Sequence, residues 1–266
     1  MAIKIFNYCG RIYEIDIHIL PTPLRNKEVD IILPVFNDIE LFLYAVKSLK
    51  TFTTDDLYNL YILNNGSSNP ECLNGLQGIA QSLSMTNKHN VGVITHKTIG
   101  VEWNGSEAHG TGLNAMVGSG LLTSKNVFLM HSDSAALGHN WLKYFLGKVN
   151  EGNVAVGTYT NWSDDQGVAY LHCSGLLVDR EFAEGIDYRP NKPQYDTIGA
   201  LTKKLIDTKS KYLVCKNSRN DPSLRVLHAY GHEKGSESFD DEDKPVWGHA
   251  GRGSSQGNRG GWIRDL

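Results

Sequence analysis

The chain has 266 residues, of which 40% are hydrophobic and 21% charged. Those are ordinary globular values and exclude global disorder, and 27 glycines without a triplet period exclude a collagen-like chain. A net charge of −3 excludes a uniformly basic nucleic-acid coat, and four cysteines at 9, 72, 173 and 215, with no Cys-x-x-Cys pair, argue against a zinc ribbon or a disulfide scaffold.

No apolar run approaches the ~20 residues that a membrane-spanning helix needs. The opening MAIKIFNYCGRIYEIDIHIL lacks a basic flank followed by an unbroken apolar stretch, so it does not read as a signal peptide. The expectation is a soluble cytoplasmic protein with reduced thiols.

In chain order, Ile3 to Phe6 and Arg11 to Leu20 alternate as strands do, and the YCGR between them predicts a hairpin turn. VDIILPV (Val29 to Val35) is a short, strongly apolar run, the mark of a buried parallel strand. Asn37 and Asp38 offer N-caps for a helix through Ser48. LYIL (Leu60 to Leu63) predicts a second strand, ended by the turn cluster NNGSSNP. A helix over 71–83 and a strand over 91–95 follow. The Gly- and Ala-rich TGLNAMVGSGLL reads as a helix whose small residues permit close packing. NVFLM (Asn126 to Met130) predicts a fourth buried strand, followed by HSDS and a helix from about 140 to 149. Strands over 154–159 and 169–178, a helix over 195–208, and short strands over 212–215 and 224–228 complete the pattern.

The strand–helix alternation of the first half predicts an α/β fold with a mostly parallel sheet, and the later elements suggest a smaller antiparallel region. From about Gly231 the sequence turns acidic (GSESFDDEDKPVW) and then Gly-rich (GHAGRGSSQGNRGG). Such a segment builds little core, so 236–266 is expected to be a polar tail behind a single domain of residues 1–235. Part of that tail, with Arg252, Arg259 and Trp262, could order over a ligand.

Ligands of open α/β sheets bind beyond the carboxyl ends of the strands. Three polar clusters fall at such ends: Phe36-Asn37-Asp38, Asn64-Asn65-Gly66-Ser67 and His131-Ser132-Asp133. Each alone is weak, because turns after strands are polar for solvation reasons; together they can line one crevice. A carboxylate pinned at a strand end is a good hard ligand for Mg²⁺ or Mn²⁺, and a neighbouring imidazole favours Mn²⁺.

VDIILPVFNDIELFLYAVKSL, NLYILNNGSSN, HGTGLNAMVGSG and NVFLMHSDSAALGHNWLKYFL, in this order, resemble a family-2-like glycosyltransferase of the GT-A fold. The resemblance runs from about Val29 to Leu146 and is fainter beyond, through HCSGLLVDREFAEGIDY and YDTIGALTKKL. It implies a nucleotide-binding half over about 27–150 and an acceptor half over about 151–235. It also implies nucleotide-sugar contacts from Pro34, Phe36, Asn37, Asn64, Gly66 and Asn114. Asp133 matches the last acid of the family's Asp-x-Asp motif, and His131 stands where the first acid would be. LHAYGHEKGS supplies a late metal-ligand histidine, His228, and a diphosphate-binding Lys234. The implied metal set is therefore Asp133, His228 and His131. Asp196, in Tyr195-Asp196, is the implied general base, although before a helix it reads equally as an N-cap.

Two departures bear on function. The family acid that contacts the base is Asn64 here, an amide able both to donate and to accept. Asp196 points to inversion, whereas the His228, Gly231 and Lys234 spacing resembles retaining enzymes, so stereochemistry stays open. The expected activity is transfer of a sugar from a nucleotide-sugar donor to a hydroxyl acceptor with Mn²⁺ or Mg²⁺. The acceptor is a glycan, a small molecule or, as a minority reading, a modified nucleic-acid base. The rivals are a nucleotidyltransferase, which should show a Gly-rich basic loop that PVFNDIE lacks, and a non-catalytic sugar-nucleotide or glycan binder.

Overall fold

The structure, a computed structural model, describes residues 2–22, 27–53, 57–86, 89–97, 105–163, 169–191, 197–224 and 235–250. An antiparallel hairpin, β1 (Ala2–Tyr8) and β2 (Arg11–Ile19), opens the chain. Its turn uses Cys9 and Gly10, both at positive φ. Then β3 (Val29–Val35) leads into α1 (Ile39–Phe52), β4 (Tyr58–Asn64) into α2 (Pro70–Ser84), and β5 (Val91–Lys97) towards α3 (Gly105–Gly118). After these come β6 (Asn126–Met130), β7 (Ser134–Ala136), α4 (Trp141–Asn150), β8 (Ala155–Ser163) and β9 (Ala169–Asp179). The chain continues through α5 (Arg180–Ala183), α6 (Gly199–Asp207), β10 (Tyr212–Val214), β11 (Lys216–Asn217), β12 (Ser236–Phe239) and β13 (Pro245–His249).

Nine strands form one sheet in the order β1-β2-β5-β4-β3-β6-β9-β8-β10. Its centre, β5-β4-β3-β6, is parallel, and β10 is parallel to β8. The β1–β2 hairpin on one side and β9 on the other join antiparallel. β3 and β4 are buried at every position. A central parallel strand has both faces covered, which is why VDIILPV reads as an unbroken apolar run. Ile31 and Leu33 pack on one face with Phe42, Leu49, Leu76, Trp141 and Phe145 from α1, α2 and α4. Ile32 packs on the other with Leu113 and Met116 of α3 and Leu201 and Leu205 of α6.

The loops are tied down by capping side chains, one expected (Asp38) and one read only as part of a turn (Asn69). Asp38 Oδ1 accepts the Leu41 amide at the start of α1, and Asn69 Oδ1 accepts the Glu71 amide ahead of α2. Near the start of β3 the fully buried Asp30 accepts from Asn59 Nδ2, the Thr123 and Ser124 amides and Ser124 Oγ, all within 2.8 Å. That satisfies a carboxylate which would otherwise be costly inside the sheet. α3 lies close on its neighbours because of its glycines: a Cβ at Gly110 would sit 2.3 Å from the Tyr188 carbonyl oxygen, and one at Gly112 would sit 2.6 Å from Asn65 Oδ1.

Two expectations are corrected. Residues 236–250 are not a polar tail: β12 and β13 pair antiparallel, and with β11 and β7 they make a second, four-stranded sheet. The acidic run between them is turn chemistry. Asp240 Oδ1 accepts the Glu242 and Lys244 amides, and the Asp240 amide donates to the Lys244 carbonyl. Trp247 of β13 is fully buried in the main core. Secondly, Leu224 closes a 3-10 turn, Pro222–Leu224, instead of starting a strand; residues 225–234 lie outside the described residues. So does the segment 251–266.

Candidate active site

Four elements converge beyond the carboxyl end of β6. The strand ends at Met130, and the next turn presents His131 and Asp133. β9 runs antiparallel beside β6, with Met130 opposite Gly175, so His172 and Cys173 come alongside that turn. β13 pairs with β7 so that His249 stands opposite Ser134. α3 contributes His109.

Asp133 is 3% exposed, and its Oδ1 lies 3.5 Å from His249 Nε2 and 3.6 Å from His131 Nδ1. The main chain fixes this arrangement: the Ala250 amide donates to the Asp133 carbonyl at 2.9 Å, and the Ser134 amide to the His131 carbonyl at 3.2 Å. His131 Nε2 is 3.0 Å from Cys173 Sγ. The His131 ring centroid is 4.2 Å from that of His109, 5.3 Å from that of His172 and 5.5 Å from that of His249. His172 Nδ1 bonds Ser174 Oγ at 2.7 Å, and Trp247 Nε1 donates to the Ser174 carbonyl at 2.7 Å.

Burial pushes His109 and His172 well below the usual imidazole range, and the adjacent histidines push them further. Burial alone would raise the Asp133 carboxyl, but the His249 and His131 rings override it and hold the group well below the usual carboxylate range. An ionised carboxylate beside imidazole nitrogens offers the kind of lone pairs a divalent cation binds. The ligand atoms of His131, Asp133 and His249 all lie within 4.8 Å of one another. One carboxylate oxygen with imidazole nitrogens fits a divalent cation.

Of the residues expected at the site, His131 and Asp133 are brought together. Asp196, His228 and Lys234 lie outside the described residues. The late histidine that the structure sets beside Asp133 is His249. Sequence reasoning passed over it, although it ends the apolar Val246-Trp247 run just as His228 ends LRVL. His109, His172 and Cys173 gave no signal as metal ligands, because no metal-ligand spacing motif joins them.

The nucleotide-side residues divide. Phe36 is 45% exposed, whereas Pro34 is buried within β3. Asn37, at φ 55°, accepts the Ser68 and Asn69 amides through Oδ1 at 2.7 and 2.8 Å and so clamps the β3–α1 loop to the β4–α2 loop. Asn64 Oδ1 accepts the Ser67 amide at 3.0 Å, folding the turn that places Gly66 at φ 77°. Asn114 is fully buried: its Nδ2 donates to Asp187 Oδ1 and Tyr13 Oη, and its Oδ1 accepts the Tyr188 amide. Its amide therefore holds α3 to the Asp187 turn, where Asp187 is ion-paired with Arg189. Asn65, in the same cluster, bonds the Ala108 carbonyl and His96 Nδ1.

The buried histidines give a pH dependence. His96 is pushed by burial to about 4, and His109 and His172 move in the same direction. A depressed folded-state pKa means that the unfolded chain takes up protons first as the pH falls. Stability is then present above the ordinary imidazole value and lost below it. The melting temperature in chelator should fall between pH 7 and 5, with His96 alone contributing about 2 kcal/mol of that loss. Asp133 adds a loss at lower pH, as the pH falls through its depressed folded value. A flat calorimetric profile from pH 7 to 5 would show that these rings protonate freely in the folded state.

No protein-family model matches the chain, and no curated protein matches it in sequence. Among solved structures it resembles a mannosyltransferase from Pyrobaculum calidifontis in complex with GDP-Man and Mn²⁺, with a TM-score of 0.51 and 12% identity over 74% of this chain and 56% of that one. It thus spans little more than half the length of that protein. Glucosyl-3-phosphoglycerate synthase from Mycobacterium tuberculosis, in complex with Mn²⁺, UDP-Glc and phosphoglyceric acid, aligns at TM-score 0.47 and 16% identity, over 71% of this chain and 69% of that one. The chain has the GT-A fold: a mixed α/β sheet flanked by helices with a small antiparallel sheet beside it.

Proposed function

We propose that the protein is a glycosyltransferase that moves a sugar from a nucleotide-sugar donor to a hydroxyl acceptor with a divalent cation, Mn²⁺ or Mg²⁺. The observation that carries this reading is Asp133: a buried, ionised carboxylate at the carboxyl end of a central strand of a GT-A fold, flanked by His249 and His131. Asp133 and His249 would hold the cation, with His131 beside them; His228 remains a further proposed ligand. The cation supplies positive charge to the diphosphate as it leaves. Lys234 is the proposed second positive group there, and Asp196 the proposed base that takes the acceptor proton.

The structurally similar mannosyltransferase is complexed with GDP-Man and Mn²⁺, which supports a hexosyl donor on a nucleoside diphosphate. The nucleoside would lie against exposed Phe36 and the two loops that Asn37 clamps. Asn37→Ala is expected to weaken donor affinity about tenfold, or ~1.4 kcal/mol, by releasing the Ser68 and Asn69 amides. Unchanged affinity in titration calorimetry would remove this loop pair from the pocket.

The acceptor is a glycan, a small molecule or a modified nucleic-acid base. No helix among the described residues is long and apolar enough to cross a membrane. The proposed location is the cytoplasm of a bacterium or a virus-infected host, where the four cysteines would stay thiols. The decisive experiment is a panel of GDP- and UDP-sugars with and without Mn²⁺, followed both by melting temperature and by nucleotide release. One donor should stabilise the fold in the presence of Mn²⁺ and be turned over. Stabilisation without turnover, with every acceptor class present, would make the protein a binder; indifference to all donors would overturn the reading.

A further inference from the structure

His131 presents its two ring nitrogens to different partners. Nδ1 faces Asp133, while Nε2 faces Cys173 Sγ at 3.0 Å. On that second side lies His109, whose Nε2 is shut off from solvent and has no hydrogen-bond partner. The ligand atoms of His109, His131 and Cys173 all lie within 4.8 Å of one another, and Cys173 is 2% exposed. We propose that His109, His131 and Cys173 form a second cation site, distinct from the Asp133–His249 pair, that takes a thiophilic divalent ion of the Zn²⁺ class. The proposal stands whether or not the chain transfers sugar.

The donor set selects the ion. Thiolate and imidazole are soft ligands that favour Zn²⁺ over Mn²⁺ and Mg²⁺, whereas the carboxylate of the neighbouring pair favours the hard ions. The geometry is close to what such an ion needs. Zn–S and Zn–N bonds of about 2.3 and 2.0–2.1 Å place tetrahedral ligand atoms roughly 3.5 Å apart. The separations present, 3.0 Å from His131 Nε2 to Cys173 Sγ and no more than 4.8 Å for the others, bracket that value. Three protein ligands leave a fourth position for water or substrate.

The second nitrogen of His131 completes the logic. An ion on Nε2 puts the ring proton on Nδ1, which faces Asp133 Oδ1 at 3.6 Å. A carboxylate behind a ligating histidine is the usual way its tautomer and orientation are set. Asp133 would thus orient the soft site while serving the hard one. The ligands come from α3, the β6 turn and β9, at sequence separations of 22 and 42, so no Cys/His spacing motif announces them.

The test uses the full chain stripped of metal and titrated with Co²⁺, then with Zn²⁺. One equivalent of Co²⁺ should produce a thiolate-to-metal charge-transfer band that one equivalent of Zn²⁺ abolishes and excess Mn²⁺ does not. Cys173→Ser should remove the band. His109→Ala, which spares the thiol and the β9 packing, should lower Co²⁺ affinity by at least about tenfold to a hundredfold. Asp133→Asn should keep the band, with affinity reduced no more than about ten- to a hundredfold as for other groups behind a ligand, while losing the Mn²⁺ signal in electron paramagnetic resonance. That contrast separates this site from the one proposed for sugar transfer. Absence of the band in the folded chain, its persistence in Cys173→Ser, or unchanged affinity in His109→Ala would overturn the proposal.

Discussion

Asp133→Asn is expected to abolish Mn²⁺-dependent turnover of the donor while leaving the fold in place. The substitution keeps the shape and burial of the side chain but removes the charge that His249 and His131 face at 3.5 and 3.6 Å. A cation at a leaving diphosphate supplies several kcal/mol of transition-state stabilisation, and each ~1.4 kcal/mol is tenfold in rate, so the loss should reach about 10²–10³-fold. Donor binding should fall with it, because Asp133 would help hold the cation that neutralises the diphosphate. The measurements are nucleotide release across a Mn²⁺ titration and the circular dichroism of the variant. Turnover that survives in Asp133→Asn, or in the native protein under excess chelator, would remove the metal from the mechanism. His249→Ala should follow Asp133→Asn in direction; an unaffected His249→Ala protein would return the late-histidine role to His228.

Trp247→Ala is expected to be the most destabilising single change in the second sheet. Its ring is fully buried, 4.8 Å from the centroid of Phe128 and 5.0 Å from that of Trp141. Its indole nitrogen satisfies the Ser174 carbonyl at 2.7 Å. Gly175 is shaped to receive it, since a Cβ there would lie 2.4 Å from Trp247 Nε1. Truncating such a side chain leaves a cavity and an orphaned carbonyl at a cost of about 3–5 kcal/mol, which lowers the melting temperature by about 10 °C or more. Metal affinity should fall too, because His249 lies two residues further along the same strand. Differential scanning calorimetry checks the first effect and Mn²⁺ titration the second. A melting temperature unchanged within 2–3 °C, an interval worth only about 1 kcal/mol, would show that the 236–249 hairpin is a peripheral addition after all.

The parts of this molecule that could be read in advance are those where local pattern and tertiary role coincide. Val29–Val35 and Asn126–Met130 are strands at the bounds expected of them, because a strand covered on both faces must be continuously apolar. Asp38 caps α1 as its position before an apolar-periodic run requires. The hairpin of β12 and β13 was illegible for the opposite reason. SESF is buried at all four positions although three of them are polar: the Glu237 amide donates to Ser218 Oγ, and Ser218 Oγ donates back to the Glu237 carboxylate. A buried polar strand has no apolar period to detect, and an acidic turn has the composition of a solvated tail.

The order of strands and helices, the close-packing glycines of α3 and the placing of a carboxylate just past a buried strand follow from the sequence alone, because each depends on neighbours within a few residues. Which histidine faces that carboxylate does not. His131 stands two residues from Asp133, but His109, Cys173 and His249 reach that turn only through the tertiary fold, with β9 beside β6 and β13 paired with β7. Those are contacts across 24 to 116 residues of chain, set by how the sheet closes, and no local spacing carries them. The same is true of Asn37 and Asn114. Their residue types suited a ligand pocket, but the amides that reach them first belong to the protein's own loops, because in a folded chain a fixed donor nearby outcompetes a ligand for the same oxygen.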